Sequence, residues 1–539
     1  MAEQLPIPDF GSLADIYPSQ PAVLREATRW NDLVEKFKEH YGHAPSYIIR
    51  APGRVNILGE HIDYSLFPVL PAAIEQDIIL ALTPTDEPTV TLHNVLPSFK
   101  PSTFPLVPPK SSEAEWHVDF ISPAQGGGWE NYVKVATAEC LEEFFKLGKS
   151  PGVSAGKTPK GMKLLVSGTV PPGAGLSSSA AFVVGSVITF LVANGLTEGI
   201  SKGDVVAMAM ASEHRMGLRT GGMDQAASAL CLSNTLLHLS FFPSLSPVPL
   251  PLPKSVGIVI TNSLAPHDLT DTAPEQYNLR VVESLVAARL LLHAWGLSDH
   301  PRVKGKVGEG GRVWLREVLE MWAPGESPVG VYEKALKDLE RILGKGGRAQ
   351  KGWTTEEMIA ESGMSKDEFT ETYLHHFLEV RATHFHLYLR AKHALEESLR
   401  VARFSQLCND ISPDPLKPAS IPEDDPRLKE LGQLLIDSHT SCKHQYDCTH
   451  KQTDALKDLC LASGALGARQ TGGGWGGAVI SLVPISEAES FLNRVKKQYG
   501  PYQGLSEAKL DEAAFVTLPG SGAGVYVVNG DGDVRQSAA

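Results

Sequence analysis

Apolar and polar residues divide the chain into stretches with helical spacing and stretches typical of strands. Residues 22–41 predict a helix, and residues 372–404 predict a longer one with apolar side chains at helical spacing. Residues 180–196 are almost continuously apolar, but they include Gly185 and Ser186 and fall short of the ~20 apolar residues that a membrane span needs. We therefore expect a buried helix there and no membrane segment.

Strand-like patterns alternate with these helices. Residues 47–59, "YIIRAPGRVNILG", predict a strand that breaks at Pro52 and Gly53, and residues 162–170, "MKLLVSGTV", predict another. Short strands are also expected near the end of the chain, in 476–484 and 513–528. A change of pattern near residue 240 predicts a boundary between two domains, 1–240 and 241–539.

Composition and charge narrow the classes of partner. The 539 residues carry a formal net charge of −13, which argues against binding to nucleic acid or to an anionic membrane, since both demand clustered Lys and Arg. Six cysteines in so long a chain do not form the dense disulfide framework of a small secreted domain. No basic segment followed by an apolar run opens the sequence, so we expect a cytoplasmic protein.

The stretch "PPGAGLSSSAA", residues 171–181, lies between a predicted strand and a predicted helix. Glycines there permit close approach of the backbone, and serines at a helix N-terminus provide N–H groups and partial positive charge, which suits a phosphate. The Lys of the commonest phosphate loop is absent. A glycine turn with a serine N-cap explains the local pattern equally well, so both alternatives stay open.

The segment "GRVNILGEHIDY" concentrates charge where a strand would be buried. Arg54, Glu60, His61 and Asp63 lie within ten residues. Such groups are usually solvated, but on a turn they can bind several sugar hydroxyls. A metal site is a weaker alternative because the spacing matches no zinc pattern.

Two further segments carry candidate chemistry. In "RTGGMDQAAS", Asp224 follows two glycines and opens an apolar helix, where a helix N-cap is the simpler interpretation. In "ARQTGGGWGGAVI", five glycines surround Trp475 just before a strand, so the backbone is expected to approach another group closely.

Two clusters of residues that can serve as metal ligands are not expected to bind a metal ion. Cys442, His444, Cys448 and His450 lack the paired spacing of zinc sites. The histidines of the predicted helix 372–404, His393 among them, are expected to be solvated or to act as caps because no two have the i, i+4 spacing of a helical metal pair.

Together the motifs resemble the GHMP kinase superfamily and, within it, the galactokinases. "GRVNILGEHIDY" resembles the galactokinase signature, "PPGAGLSSSAA" the ATP phosphate loop, and "GGGWGGAVISLV" the third motif of the superfamily. "GGMDQAAS", "EQYNLRVVE" and "LRAKHALEE" resemble the longer eukaryotic members. Ile62 and Ser65 replace the Thr and Asn of shorter members, and Trp475 replaces a frequent Phe.

The resemblance implies a two-domain α/β (α+β) fold with the active site in a cleft. The N-terminal domain would be similar to ribosomal protein S5 and the C-terminal domain to ferredoxin. The implied reaction is ATP-dependent phosphorylation of galactose at its C1 hydroxyl, the first committed step of galactose catabolism, by a monomer. Asp224 is the implied catalytic base, with Arg54 beside it, and the implied sugar-binding residues are Arg54, Glu60, His61, Asp63, Gly222, Asp224 and Tyr277.

For the nucleotide, the resemblance implies a loop that binds the phosphates, a pair of residues that binds Mg²⁺, and an aromatic side chain that lies against adenine. Ser179 and Glu213 match positions that hold Mg²⁺, a hard ion that prefers oxygen ligands. Trp129 is the candidate wall for adenine, with an ordinary core Trp as the alternative. The implied ATP-loop residues are Gly173, Ala174, Gly175, Leu176, Ser177, Ser178 and Ser179.

Two relatives of different function remain alternatives. An N-acetylgalactosamine kinase is disfavoured by Tyr277, where those relatives more often carry Phe. A galactose sensor that docks onto a transcriptional repressor is disfavoured because the Ser179-Ala180 pair is intact. A regulatory protein partner has no signature in the sequence.

Overall fold

A computed structural model describes residues 2–110, 115–121, 127–146, 158–216, 221–265, 272–304, 311–375, 378–528 and 534–536. The strands are β1 (Asp9–Phe10), β2 (Tyr47–Asn56), β3 (Pro71–Thr85), β4 (Thr89–Asn94), β5 (Ser102–Pro105), β6 (Gly161–Gly168), β7 (Thr235–Ser240), β8 (Ser246–Pro251), β9 (Val256–Asn262), β10 (Gly467–Thr471), β11 (Ala478–Pro484), β12 (Ala514–Thr517) and β13 (Gly524–Val527).

In the described residues, the helices between Tyr277 and Ala462 follow one another without an intervening strand, and the other α-helices lie between or beside strands. The α-helices are α1 (Gln20–Tyr41), α2 (Asn131–Phe145), α3 (Ser178–Asn194), α4 (Lys202–Arg215), α5 (Met223–Leu230), α6 (Tyr277–Ala294), α7 (Pro301–Lys304), α8 (Leu315–Trp322), α9 (Pro328–Ile342), α10 (Arg348–Lys351), α11 (Thr355–Ser362), α12 (Lys366–Thr370), α13 (Leu387–Ile411), α14 (Pro426–Ser441), α15 (Lys451–Ala462), α16 (Ala488–Gln498) and α17 (Glu507–Ala513).

A seven-stranded sheet is built mainly from the first part of the chain, in the order β1-β13-β2-β3-β6-β4-β5. Alternate residues of its strands point to opposite faces. Ile49 and Leu80 join the large core cluster, whereas their neighbours Ile48 and Ile79 pack in a separate cluster with Trp30 of α1. Both faces of the sheet are therefore covered, as its apolar strands require.

The long pairing of β2 with β3 shifts register between Pro52 and Arg54, so the predicted break at Pro52 and Gly53 is a bulge within a strand that continues to Asn56. Proline cannot donate a ladder hydrogen bond, and a bulge re-aims the side chain that follows it. A Cβ on Gly53 would lie 2.8 Å from the carbonyl oxygen of Leu176. The bulge therefore brings the strand against the loop before α3.

A second, antiparallel sheet has the order β10-β11-β9-β12. Residues of α15 and α16, including Cys460 and Phe491, pack on it in a core of their own. A third sheet pairs β7 with β8, and the mixture of helices and three sheets agrees with the predicted α/β class. β13 joins the first sheet although it lies outside residues 1–240, and the proposed domain boundary near 240 stays a prediction.

One of the expected helices differs in extent from the structure. In the range 372–404, a short π-helix covers Glu371–His375, residues 376–377 lie outside the described residues, and the segment 378–386 is not helical, because α13 begins only at Leu387. Tertiary contacts override the helical pattern there: Phe385 forms a β-bridge with Trp353, and the N–H of His386 donates to Glu283 Oε1 at 2.7 Å.

The apolar helix α3 is buried along nearly its whole length, as expected. Its interior hydroxyls are satisfied within the helix, since Ser186 and Thr189 donate to the carbonyl oxygens of Phe182 and Gly185 at 2.7 Å each. Among the residues that the structure describes, no helix has the length and apolar character to cross a membrane.

Candidate active site

The loop between β6 and α3 brings the backbone into an unusual conformation. Gly173 and Gly175 have φ values of 68° and 76°, and Ser177, the N-cap of α3, has φ 56°. These left-handed conformations suit glycine and are strained for serine. The Ser177 side chain does not cap the helix, so the first N–H groups of α3 are not satisfied by it.

The Ser177 hydroxyl instead donates to Asp224 Oδ2 at 2.5 Å. Arg54 Nε donates to the other oxygen, Asp224 Oδ1, at 2.7 Å, and Arg54 Nη1 donates to the carbonyl oxygen of Gly175 at 2.7 Å. The simpler interpretation of Asp224 as an N-cap is wrong, because Gly222 occupies that position at φ 91° and Asp224 lies in the first turn of α5. Three segments that are distant in sequence thus meet at one carboxylate.

The glycine-rich segment before β11 lies directly on this loop. A Cβ on Gly472 would lie 2.3 Å from the carbonyl oxygen of Gly175, and one on Gly477 would lie 3.1 Å from that of Ala174. The expected close approach of this backbone is therefore made to the loop that precedes α3.

The turn after β2 contributes two buried carboxylates. Glu60 Oε2 accepts from Arg469 Nη2 at 2.5 Å. Burial raises the pKa of Glu60, while the charges of Arg469 and Arg54 oppose the rise. Burial, together with the nearby charge of Asp224, raises the pKa of Asp63 to about 7. A Cβ on Gly221 would lie 2.3 Å from Asp63 Oδ2, so the glycine pair before α5 packs against this carboxylate.

Aromatic rings surround His61 beside these carboxylates. Its ring centroid lies 5.1 Å from Tyr446 in a stacked arrangement, 5.7 Å from Tyr277 and 5.5 Å from Trp475. Burial lowers the pKa of His61 to about 3, with the charges of His393 and Arg280 adding to the effect. A neutral imidazole in a partly apolar wall is well suited to bind a hydroxyl-rich ligand with an apolar face.

The remaining sequence-predicted residues lie on the helices around the loop. Ser178 and Ser179 open α3. Glu213 of α4 is 2% exposed. Its Oε2 accepts at 2.7 Å from Nε2 of Gln225, the residue that follows Asp224. Trp129 lies apart from Asp224 and is partly buried, stacked on Phe182 of α3 with ring centroids 5.9 Å apart.

The sequence did not reveal the buried residues that support Glu60 and the turn after β2. Arg469 is fully buried. It donates through Nη1 to the carbonyl oxygens of Asn56 and Ile57, and through Nη2 to Glu60. An Arg in the strand before the glycine-rich motif was the available signal. The expectation that His393 is solvated or a cap is wrong, because it is 0% exposed and contacts Glu60.

The cysteine- and histidine-rich segment also belongs to the wall of this site. Cys442 and Cys448 are buried in a small cluster with Tyr446, against which Trp475 packs. The N–H of Trp475 donates to the carbonyl oxygen of Cys448 at 2.7 Å. The described residues contain no group of three or more His, Cys, Asp or Glu side chains that could hold a metal ion.

Comparison with known families gives three consecutive matches along the chain. Residues 35–84 match the galactokinase galactose-binding signature, residues 131–231 the N-terminal domain of GHMP kinases, and residues 423–501 the C-terminal domain of GHMP kinases. The first match contains Glu60, His61 and Asp63, and the second contains the glycine loop and Asp224.

Several curated relatives are similar over nearly their whole length. A galactokinase of Dictyostelium discoideum is 33% identical over 95% of this chain and 96% of its own. A galactokinase of Saccharomyces cerevisiae is 31% identical over 97% of this chain and 99% of its own. Among solved structures, Lactococcus lactis galactokinase complexed with galactose is 22% identical and has a TM-score of 0.60, covering 91% of this chain and 98% of its own.

Proposed function

The chain belongs to the galactokinase family, and from this premise we propose that it transfers the γ-phosphoryl group of ATP to the C1 hydroxyl of α-D-galactose. The products are galactose 1-phosphate and ADP. The observation that carries the proposal is the meeting of Arg54, Ser177 and Asp224, which joins the sugar signature, the glycine loop and α5 at one carboxylate. Alternatives that bind sugar without transfer do not call for this arrangement.

Asp224 is proposed as the group that accepts the proton of the C1 hydroxyl. As the new bond forms between the sugar oxygen and the γ-phosphorus, the bond from phosphorus to the β-bridging oxygen breaks, and the electron pair leaves with ADP. Arg54 holds Asp224 through Nε and reaches the glycine loop through Nη1. Its charge pairs with the carboxylate and would offset charge on the transferring phosphoryl group.

The sugar is proposed to lie between the turn after β2 and the start of α6. Glu60, His61, Asp63 and Tyr277 would bind its hydroxyls, with Arg54 and the backbone of Gly222 completing the site. Support comes from the burial of the two carboxylates and from the aromatic rings around His61. A buried, hydrogen-bonding pocket of this kind discriminates strongly among hydroxyl patterns.

The phosphates of ATP are proposed to lie on residues 173–179, at the N-terminus of α3. Left-handed glycines precede a helix N-terminus that the Ser177 side chain does not cap, an arrangement that favours an anion without a Lys. A Cβ at Gly173 would meet nothing within 4 Å, so the loop is open on that side. Trp129, stacked on Phe182, is the proposed wall beside adenine.

Mg²⁺ is proposed to be held by Ser179 and Glu213 together with the phosphates. Both residues offer hard oxygen donors, and Glu213 is kept in place by Gln225. Mg²⁺ commonly takes one or two protein ligands and completes its octahedron with water and phosphate oxygens. When bound, the ion would neutralise charge on the β- and γ-phosphates.

The proposed setting is the cytoplasm, with the protein acting as a monomer on small molecules rather than on nucleic acid. All six cysteines are buried and none forms a disulfide, in keeping with a reducing compartment. The net charge of −13 supports the same assignment of partners.

The test measures ADP release with galactose and with N-acetylgalactosamine, for the wild-type chain and for Asp224→Asn. We expect turnover with galactose and a fall in kcat of about 10²–10⁴-fold in the variant, the usual contribution of a positioned base. The matched control is Asp204→Asn, which changes an Asp in the first turn of α4 and should keep kcat. Preference for N-acetylgalactosamine would reassign the substrate, and full activity of Asp224→Asn would refute the mechanism.

A further inference from the structure

The turn at residues 59–61 has a shape that its own sequence does not favour. His61 has φ 58°, a left-handed conformation that costs a residue with a side chain roughly 1–2 kcal/mol. Gly59, at φ 101°, is packed so closely that a Cβ would lie 2.8 Å from Val69 Cγ1. Surrounding groups must therefore hold this turn in place.

Helix α13 supplies two such groups, one on each side of the Glu60 backbone. Glu397 Oε1 accepts from the N–H of Gly59 at 2.9 Å and from the N–H of Glu60 at 3.3 Å. His393 Nε2 lies 2.9 Å from the carbonyl oxygen of Glu60. Because a carbonyl oxygen only accepts, Nε2 carries the proton and donates. The two residues are four positions apart and so lie on one face of the helix.

Both side chains are themselves fixed by neighbours. Glu397 also accepts from Arg400 Nε at 2.7 Å and from the Ser438 hydroxyl at 2.8 Å. His393 Nδ1 lies 2.8 Å from the Ser441 hydroxyl. Burial alone would raise the pKa of Glu397, but Arg400 and the other nearby donors lower this pKa to about 2. The carboxylate therefore stays charged at neutral pH, and charged acceptors make the stronger hydrogen bonds.

We propose that His393 and Glu397 are positioning residues that hold the 59–61 turn so that Glu60 and His61 face the sugar. The inference rests on the proposed function and adds to it a pair of residues on α13, more than 330 positions further along the chain. Both residues lie in the segment "LRAKHALEE", for which the motifs themselves give no role in the site. Their action is on the backbone of the turn, which makes sugar affinity the quantity that they control.

The experiment compares Glu397→Ala with the nearly isosteric Glu397→Gln in steady-state kinetics. Glu397→Ala removes the acceptor of two backbone N–H groups, and we expect the KM for galactose to rise about 10- to 100-fold, a range typical of losing hydrogen bonds to a charged group. The KM for ATP should stay within about twofold, since the glycine loop does not touch Glu397. Glu397→Gln keeps a carbonyl acceptor, and its KM for galactose should return most of the way to the wild-type value.

His393 is tested in the same way with His393→Phe, which keeps a ring but no donor, and His393→Gln, whose amide N–H can again donate to Glu60. The expected pattern is a raised KM for galactose in the first variant and recovery in the second. Thermal unfolding of all four variants identifies any chain that fails to fold. If the Ala and Phe variants do not fold, Glu397→Asp takes their place, since it keeps the charge but withdraws the carboxylate from the turn by one methylene and should still raise the KM for galactose.

Asp77→Asn is the matched control for destabilisation. Asp77 is a fully buried carboxylate that pairs with Arg29 and Arg50 in the first sheet, away from the turn. The Asp77→Asn substitution should lower the melting temperature and leave the KM for galactose unchanged. If Glu397→Ala changes the KM for galactose no more than Asp77→Asn does, the positioning role is overturned. A wild-type chain inactive toward galactose would overturn the proposed function and this role with it.

Discussion

Replacement of Gly472 by Ala tests whether the glycine-rich segment before β11 fixes the ATP loop. The new Cβ would lie 2.3 Å from the carbonyl oxygen of Gly175, whereas ordinary contacts begin at 3.4 Å. One loop must therefore move by about 1 Å. A displacement of this size near reacting groups costs about 10²-fold in rate, so we expect kcat/KM for ATP to fall about 100-fold.

The same substitution also introduces backbone strain, which must be separated from the clash. Gly472 has φ +88°, and a residue with a Cβ there costs about 1–2 kcal/mol. Gly42→Ala is the matched control, since Gly42 has φ +80° at the end of α1 and a Cβ there would meet nothing within 4 Å. Both variants should lose the stability that the strain costs, Gly472→Ala should lose more because of its clash, and only Gly472→Ala should lose activity. Equal kinetics in the two variants would refute the contact's role in holding the ATP loop.

Three further predictions concern single side chains. The ionised form of Asp63 accepts a sugar hydroxyl, so with a pKa raised to about 7 the kcat/KM for galactose should rise between pH 6 and pH 8, and Asp63→Asn should flatten this limb of the profile. Between its ordinary pKa of 3.8 and about 7 this residue binds more protons in the folded than in the unfolded chain, so its contribution to stability should fall as pH rises, measured by denaturant titration of the ligand-free protein. Trp129→Ala should raise the KM for ATP about 2- to 13-fold through lost stacking of about 0.5–1.5 kcal/mol, with the KM for galactose unchanged as the internal control. Glu213→Gln should raise the Mg²⁺ concentration for half-maximal rate at least about tenfold, and an unchanged Mg²⁺ dependence would remove Glu213 from the metal site.

Residue types along a short stretch were enough to predict two features of the fold. The burial of helix α3 and the irregularity of β2 at Pro52 and Gly53 follow from them, because an apolar run must be buried and proline cannot donate to a ladder. The start of α13 could not be predicted in this way. The helical pattern of residues 378–386 is overridden by the bridge between Trp353 and Phe385, which joins segments about thirty residues apart.

The candidate site shows the same division. Charged and glycine-rich motifs marked Arg54, Glu60 and Asp224, because such residues in apolar surroundings are unusual. The supporting residues carry no such mark. Glu397 lies in a helix with other charged residues, and only the three-dimensional path of the chain distinguishes it, as a fully buried carboxylate that binds backbone N–H groups, from its neighbour Glu396.

Phosphoryl transfer to one hydroxyl of one sugar can be followed by phosphorus and proton NMR of the product that the wild-type chain forms from galactose, ATP and Mg²⁺. We expect a single new phosphate ester on C1, coupled to the anomeric proton of the α form and formed in equal amount with ADP. A phosphate on any other oxygen, or no ester while ATP is hydrolysed, would contradict this transfer.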